Sequence, residues 1–231
     1  METIGVMDSP EAIRDAVRRL GFLPFFKNEI PGFSIAEHTP PALWFSDTQD
    51  GPWEWKGPVA RTGECVYGKF FNGRAGFISR ELFPVFANYR RNGYDFDALY
   101  DDGFAPHGDR QIFDTLNARG SLLSRELKTL SGYGRGGEKG FDGRITRLQM
   151  QTYVVIADFE YMRDKLGRQY GWGVARYAVP EALFGADFME EAYREDPAAS
   201  KARVYAHLRA LRPEAKEKQI IRLLGDRGAR V

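Results

Sequence analysis

Between residues 131 and 176 the chain gathers side chains of the types that read and hold nucleic acid. Arg147, Gln149 and Gln151 fall on a stretch with helical spacing, and Arg144 stands just before it. Arginine suits guanine and glutamine suits adenine, each through paired hydrogen bonds to the base edge. Lys165 and Arg168 lie at a turn between two strand-like runs, with Trp172 next to it. Cations at such a turn suit phosphates. Upstream, residues 131–143 are rich in glycine and carry Arg135 and Lys139, so the backbone there can come close to a phosphate. Gly132, Gly134 and Gly137 also fit the spacing G-x-G-x-x-G. They follow a helical pattern instead of a strand, so no dinucleotide site is expected.

Other chemistries are poorly supplied. His38, His107 and His207 lie far apart and Cys65 is the single cysteine, so no metal-ligand spacing is present and no metal or other cofactor is expected. No nucleophile elbow occurs. Cys65 reads as a small buried hydrophobe in a strand.

The elements that must position these residues form a recognisable order. Residues 109–118 read as a helix with Ile112, Phe113 and Leu116 on one face, and Ser124 as the cap of a second helix over 125–130. A third helix is expected over 146–155, then a strand over 158–163, a turn over 166–171 and a return strand over 172–179. Three helices followed by a hairpin is the winged-helix order, in which the third helix enters the major groove. Winged helices also serve as protein-interaction modules.

The first part of the chain repeats the pattern less clearly. Ser9 and Pro10 open a helix with Ile13, Ala16, Val17 and Leu20 at helical spacing. Ser34 and Glu37 form a capping box for a short second helix. A third helix carries Trp53 and Trp55, which point different ways on a helix, and runs to about residue 61. Residues 64–71 and 74–79 read as strands about an Asn72-Gly73 turn. A helix is expected over 80–91, an acidic linker over 95–102, and helices over 198–211 and 213–225. The fold class expected is α+β, mainly helical: tandem winged-helix units with small hairpin wings and a C-terminal helix pair. The divisions are a unit over 1–94, a linker over 95–108, a unit over 109–181 and helices over 182–231.

Charge follows this division. Residues 1–108 carry 11 Lys+Arg against 15 Asp+Glu, residues 109–180 carry 12 against 8, and residues 181–231 carry 10 against 9. The positive excess sits in the second unit, where the base-reading residue types are. No apolar run approaches the ~20 residues of a membrane span, and the first residues lack a signal-peptide pattern. With one cysteine in the whole chain, a reducing compartment is favoured. The expected location is therefore the cytoplasm, with no membrane partner.

Residues 119–127 (Arg119 to Leu127) and 168–181 (Arg168 to Glu181) resemble the winged-helix units of the AlkZ-type DNA glycosylases, bacterial enzymes that unhook interstrand crosslinks. Residues 27–33, 52–55, 67–71 and 86–91 fit the shorter AlkZ-related group, and that resemblance covers nearly all the chain. It implies double-stranded DNA, damaged, as the partner, and DNA repair as the setting. The glycosylases use two polar residues flanking an apolar one, Gln-x-Gln or Gln-x-Asp, which here corresponds to Gln149-Met150-Gln151. Hydrolysis of an N-glycosidic bond needs a positioned water and a stabilised sugar cation. Gln149 and Gln151 are thus the candidate catalytic pair, and Glu54, between Trp53 and Trp55, is the candidate carboxylate. The expectation is a DNA-binding winged-helix protein with glycosylase-like ancestry. The alternatives are a DNA-binding regulator without catalysis, or a protein-interaction module.

Overall fold

In the computed structural model the described residues are 3–226 apart from 47, 164 and 166–168, with the side chains of residues 163, 169, 170 and 172 also outside the description. Helix α1 (Pro10–Leu20) begins where the Ser9 hydroxyl accepts from the Ala12 amide, and it buries Ile13, Ala16, Val17 and Leu20. Gly21, at a φ of 75°, turns the chain into the short strand β1 (Phe22–Pro24). Two single-turn helices follow, α2 (Ile35–His38) and α3 (Pro41–Trp44), then α4 (Pro52–Arg61). Strands β2 (Cys65–Phe71) and β3 (Arg74–Ser79) form a hairpin whose turn residues, Asn72 and Gly73, both have positive φ. That is the geometry an Asn-Gly turn provides. Strand β1 returns to pair antiparallel with β3, Phe22 opposite Ile78.

The second half repeats this order. After α5 (Phe83–Arg91) and α6 (Phe96–Asp101) come α7 (His107–Arg119), the short strand β4 (Ser121–Leu123), α8 (Ser124–Lys128) and α9 (Phe141–Met150). The hairpin β5 (Val155–Arg163) and β6 (Gln169–Ala178) closes it, with β4 paired to β6. The two hairpins then join. Tyr67 of β2 lies opposite Ile156 of β5, making one six-stranded antiparallel sheet in the order β1-β3-β2-β5-β6-β4. By role the order is palindromic: first strand, return strand, outgoing strand, then the same three reversed.

The chain is α+β, as its periodicity indicates. Several bounds differ from the sequence reading, each for a local reason. Helix α9 starts at Phe141, five residues before the expected 146, because Gly140 adopts a φ of 94° and Phe141 is buried. It stops at Met150, because Thr152 is left-handed (φ 64°) and Val154, Val155 and Ile156 pass into the sheet core. Ser124 is the first residue of α8 rather than its cap. The Glu126 carboxylate accepts instead from the Leu123 amide at 2.9 Å. The acidic stretch holds a helix, α6, capped by Asp95, and Phe96 stacks on Phe113 with ring centroids 4.1 Å apart.

Beyond β6, α10 (Pro180–Phe184) and α11 (Ala186–Glu190) lead to α12 (Pro197–Leu211) and α13 (Glu217–Leu224). Helix α12 packs on α5, where the buried Asn88 amide donates to the Glu195 carbonyl and the Ser200 hydroxyl, both at 2.9 Å. Past α13, Asp226 accepts from the hydroxyls of Tyr89 and Tyr205 and pairs with Lys201 at 2.8 Å.

Candidate nucleic-acid interface

The helix just before the hairpin in each half, α4 or α9, grips a strand of the other half. On α4, Arg61 pairs with Asp158 of β5, and the Trp53 carbonyl accepts from the Tyr161 hydroxyl at 2.6 Å. On α9 the equivalent grip is Gln149. Its side-chain oxygen accepts from the Lys69 amide of β2 and its amide nitrogen donates to the Ile145 carbonyl, both at 3.1 Å. The register of β2 against β3 shifts between Gly68 and Phe71, and Lys69 has no ladder partner there. Gln149 therefore satisfies a backbone donor that a bulge leaves over. It is 0% exposed. Gln151 lies past the end of α9, half-buried, with its carbonyl accepting from the Thr152 hydroxyl. The two glutamines are not brought together around a common space.

The arginines of α9 are also committed. Asp109, on the first turn of α7, is buried at 1% exposure. It accepts two hydrogen bonds from Arg147, at 2.5 and 2.6 Å, and a longer one from Arg144 at 3.4 Å. Paired contacts to a buried carboxylate hold the Arg147 guanidinium charged and raise its pKa further, hydrogen bonding to Asp109 being the larger cause. Sequence reading placed Asp109 only at a helix start. Its depth and its two partners depend on how α7 packs on α9.

Around this locked face lie cations without such partners. Arg125 and Lys128 on α8, and Arg135 and Lys139 on the glycine-rich loop, are exposed and make no ion pair among the described residues. The loop is shaped by its glycines: Gly132, Gly136 and Gly140 have positive φ, and a Cβ on Gly137 would stand 2.2 Å from the Gly132 carbonyl oxygen. Lys165 is exposed at the β5–β6 turn. Arg168 and the side chain of Trp172 lie outside the described residues.

Glu54 is half-buried in the first turn of α4, where its carboxylate accepts from the Gly51 amide at 2.9 Å. Its neighbours diverge as the helix requires. Trp55 is core, whereas Trp53 joins a cluster of rings with Phe25, Phe26, Trp44 and Phe45. Lys56 is the unexpected member of this helix. It is 5% exposed, with its amine 4.8 Å from the Trp53 ring centre and 4.4 Å from that of Phe159. Burial pulls its pKa down to about 8, against a small opposing effect of Glu54. Cys65 is buried on β2, and desolvation pushes its thiol up to about 12.

Among the described residues no group of three or more His, Cys, Asp or Glu could hold a metal ion, and no helix is long and apolar enough to cross a membrane. The molecule is thus an α+β protein with two like halves sharing one antiparallel sheet, and among the described residues α8 and the loop before α9 carry four exposed cations without ion pairs. The chain belongs to the AlkZ-related family, whose family model matches residues 7–225. No curated protein and no solved structure matches it.

Proposed function

We propose that the chain is a DNA-binding protein of glycosylase-like ancestry, built from two winged-helix units that share their sheet, and that double-stranded DNA docks on the second unit. In each half a helix, a short strand, further helices (α2, α3 and α4 in the first, α8 and α9 in the second) and a hairpin follow in winged-helix order, with the short strand returned to the hairpin. The observation that carries the reading is the set of exposed, unpaired cations Arg125, Lys128, Arg135 and Lys139. They lie on α8 and on the loop that leads into α9, the part of a winged helix that meets the backbone beside the groove. Lys165, at the hairpin turn, extends the same role to the wing. Arg144 and Arg147 are held by Asp109.

The test is fluorescence anisotropy on a duplex oligonucleotide over a salt series. Binding that weakens with salt is expected, and Arg135→Ala with Lys139→Ala lowers the slope of log K against log salt by about 2. Salt-independent binding, or none, refutes the docking and favours a protein-interaction module.

For the chemistry, the family membership supports action on alkylated or crosslinked bases, and release of N7-alkylguanine from duplex DNA is the assay. A second reading, DNA binding without base excision, is favoured by the burial of Gln149, whose amide is used within the fold at both ends. Glu54, next in sequence to Trp53 of the ring cluster, is the candidate carboxylate. Base release lost on Glu54→Gln, with DNA affinity kept, supports catalysis at that place. No release by the native protein supports the second reading.

A further inference from the structure

Away from the basic loop, the first half carries an aromatic groove of about 500 Å³ that the docking described above does not use. Its rings come from three places: Phe26 after β1, Trp44 at the end of α3, and Phe45 just beyond it. Trp53 of α4 backs them. Trp44 lies 5.7 Å from Trp53 and 6.1 Å from Phe45, and Phe45 lies within 19° of parallel to Trp53 at 6.1 Å. Phe45 is 71% exposed, so a large flat ring face is left to water. The single-turn helix α3 buries none of its residues fully. Hydrophobic burial accounts for Trp53, but it does not account for Phe45.

Polar groups at the groove are few. Thr39 lines it, but its hydroxyl is spent on the Ile35 carbonyl at 2.9 Å. Lys27 is the only charged residue lining it among the described residues, and it is exposed. A site with ring faces, one cation and no free array of donors or acceptors recognises a flat π-system next to a negative charge. It lacks the polar pattern that would read a peptide backbone or a base edge.

We propose that this groove binds one unstacked nucleobase, laid on the open face of Phe45 against Trp44, with its phosphate at Lys27. The inference rests on the DNA-binding reading and deepens it: the nucleic acid it selects has a base out of the stack. Selection is tolerant of base identity, because every base has a π-face. Unpaired and damaged bases leave the duplex at least cost.

The experiment uses the full chain and two duplexes of the same sequence, one fully paired and one with a single bulged 2-aminopurine. The expected result is about thirtyfold tighter binding of the bulged duplex, the middle of the range for one base–aromatic stack, with quenching of the 2-aminopurine emission. Phe45→Ala abolishes the preference and the quenching while leaving affinity for the paired duplex unchanged. Since Phe45 is mostly exposed, this variant is expected to fold, and a circular dichroism melt checks it. Lys27→Gln lowers the salt slope for the bulged duplex by about 1 and leaves that for the paired duplex unchanged. Equal binding of the two duplexes, or a Phe45→Ala loss common to both, overturns the groove assignment and leaves the basic loop standing. Failure to bind either duplex overturns both.

Discussion

Replacing Gln149 by leucine separates its structural role from a catalytic one. The substitution keeps the volume close to that of glutamine, so the cavity contribution is small. What it removes is the acceptor for the Lys69 amide, a part-buried strand donor that the bulge in β2 deprives of a ladder partner. Leaving one such group unsatisfied costs about 1–3 kcal/mol. The bond to the Ile145 carbonyl adds less, because that oxygen also accepts within α9. The sum expected is a destabilisation of about 2 kcal/mol, read as a lower urea midpoint with an unchanged m-value. Gln149→Ala adds a cavity at a fully buried site and is expected to cost about 3–4 kcal/mol. In both variants the DNA affinity of the folded fraction stays near that of the native chain. A leucine variant that loses less than about 0.5 kcal/mol would show that Gln149 does not fasten the Lys69 amide. Loss of base release by that variant, fully folded, would show that Gln149 is catalytic.

Three further perturbations test the rest. Lys56 has its pKa pulled from 10.5 down to about 8 by burial, so the stability its neutral form allows is present above the unfolded value and lost as pH falls through about 8. Lys56→Met is therefore expected to stabilise the protein at pH 7 by about 1–2 kcal/mol. That figure is the full shift discounted for partial solvation and for the two ring contacts. The gap should close towards pH 10, and a gap independent of pH would show that ionisation is not its source. Asp109→Asn removes the charge that holds Arg144 and Arg147, at an expected cost of about 2–3 kcal/mol. It should also steepen the salt dependence of DNA binding as the arginines are released, and an unchanged slope would mean that α9 does not face the DNA. Cys65, buried and with its thiol pushed up to about 12, should resist iodoacetamide at pH 8 in the native state and react in urea; rapid native labelling would contradict the burial.

Sequence periodicity determined the elements of both halves where a local signal was strong. Ser9-Pro10 and the spacing of Ile13, Val17 and Leu20 specify α1, and Asn72-Gly73 specifies the first hairpin, because capping and turn geometry act within a few residues. The bounds of α9 were less legible. Gly140 and Thr152 set them through positive φ, and nothing in the type of Thr152 signals a left-handed backbone. The glutamine pair and the arginines of α9 were visible as residue types suited to DNA, but their partners were not. Asp109 is 38 residues from Arg147, and Lys69 is 80 from Gln149. The ring groove likewise draws Phe26, Trp44 and Trp53 from separate segments, and no local pattern says that they meet. What the tertiary structure alone decided is the joining of the two hairpins at Tyr67 and Ile156. The helix before each hairpin, α4 or α9, thereby packs on the other half's strand, and polar side chains that read locally as free are turned into fastenings. Local sequence sets which face of a helix is polar; only the packing of distant segments sets which of those polar groups still face water.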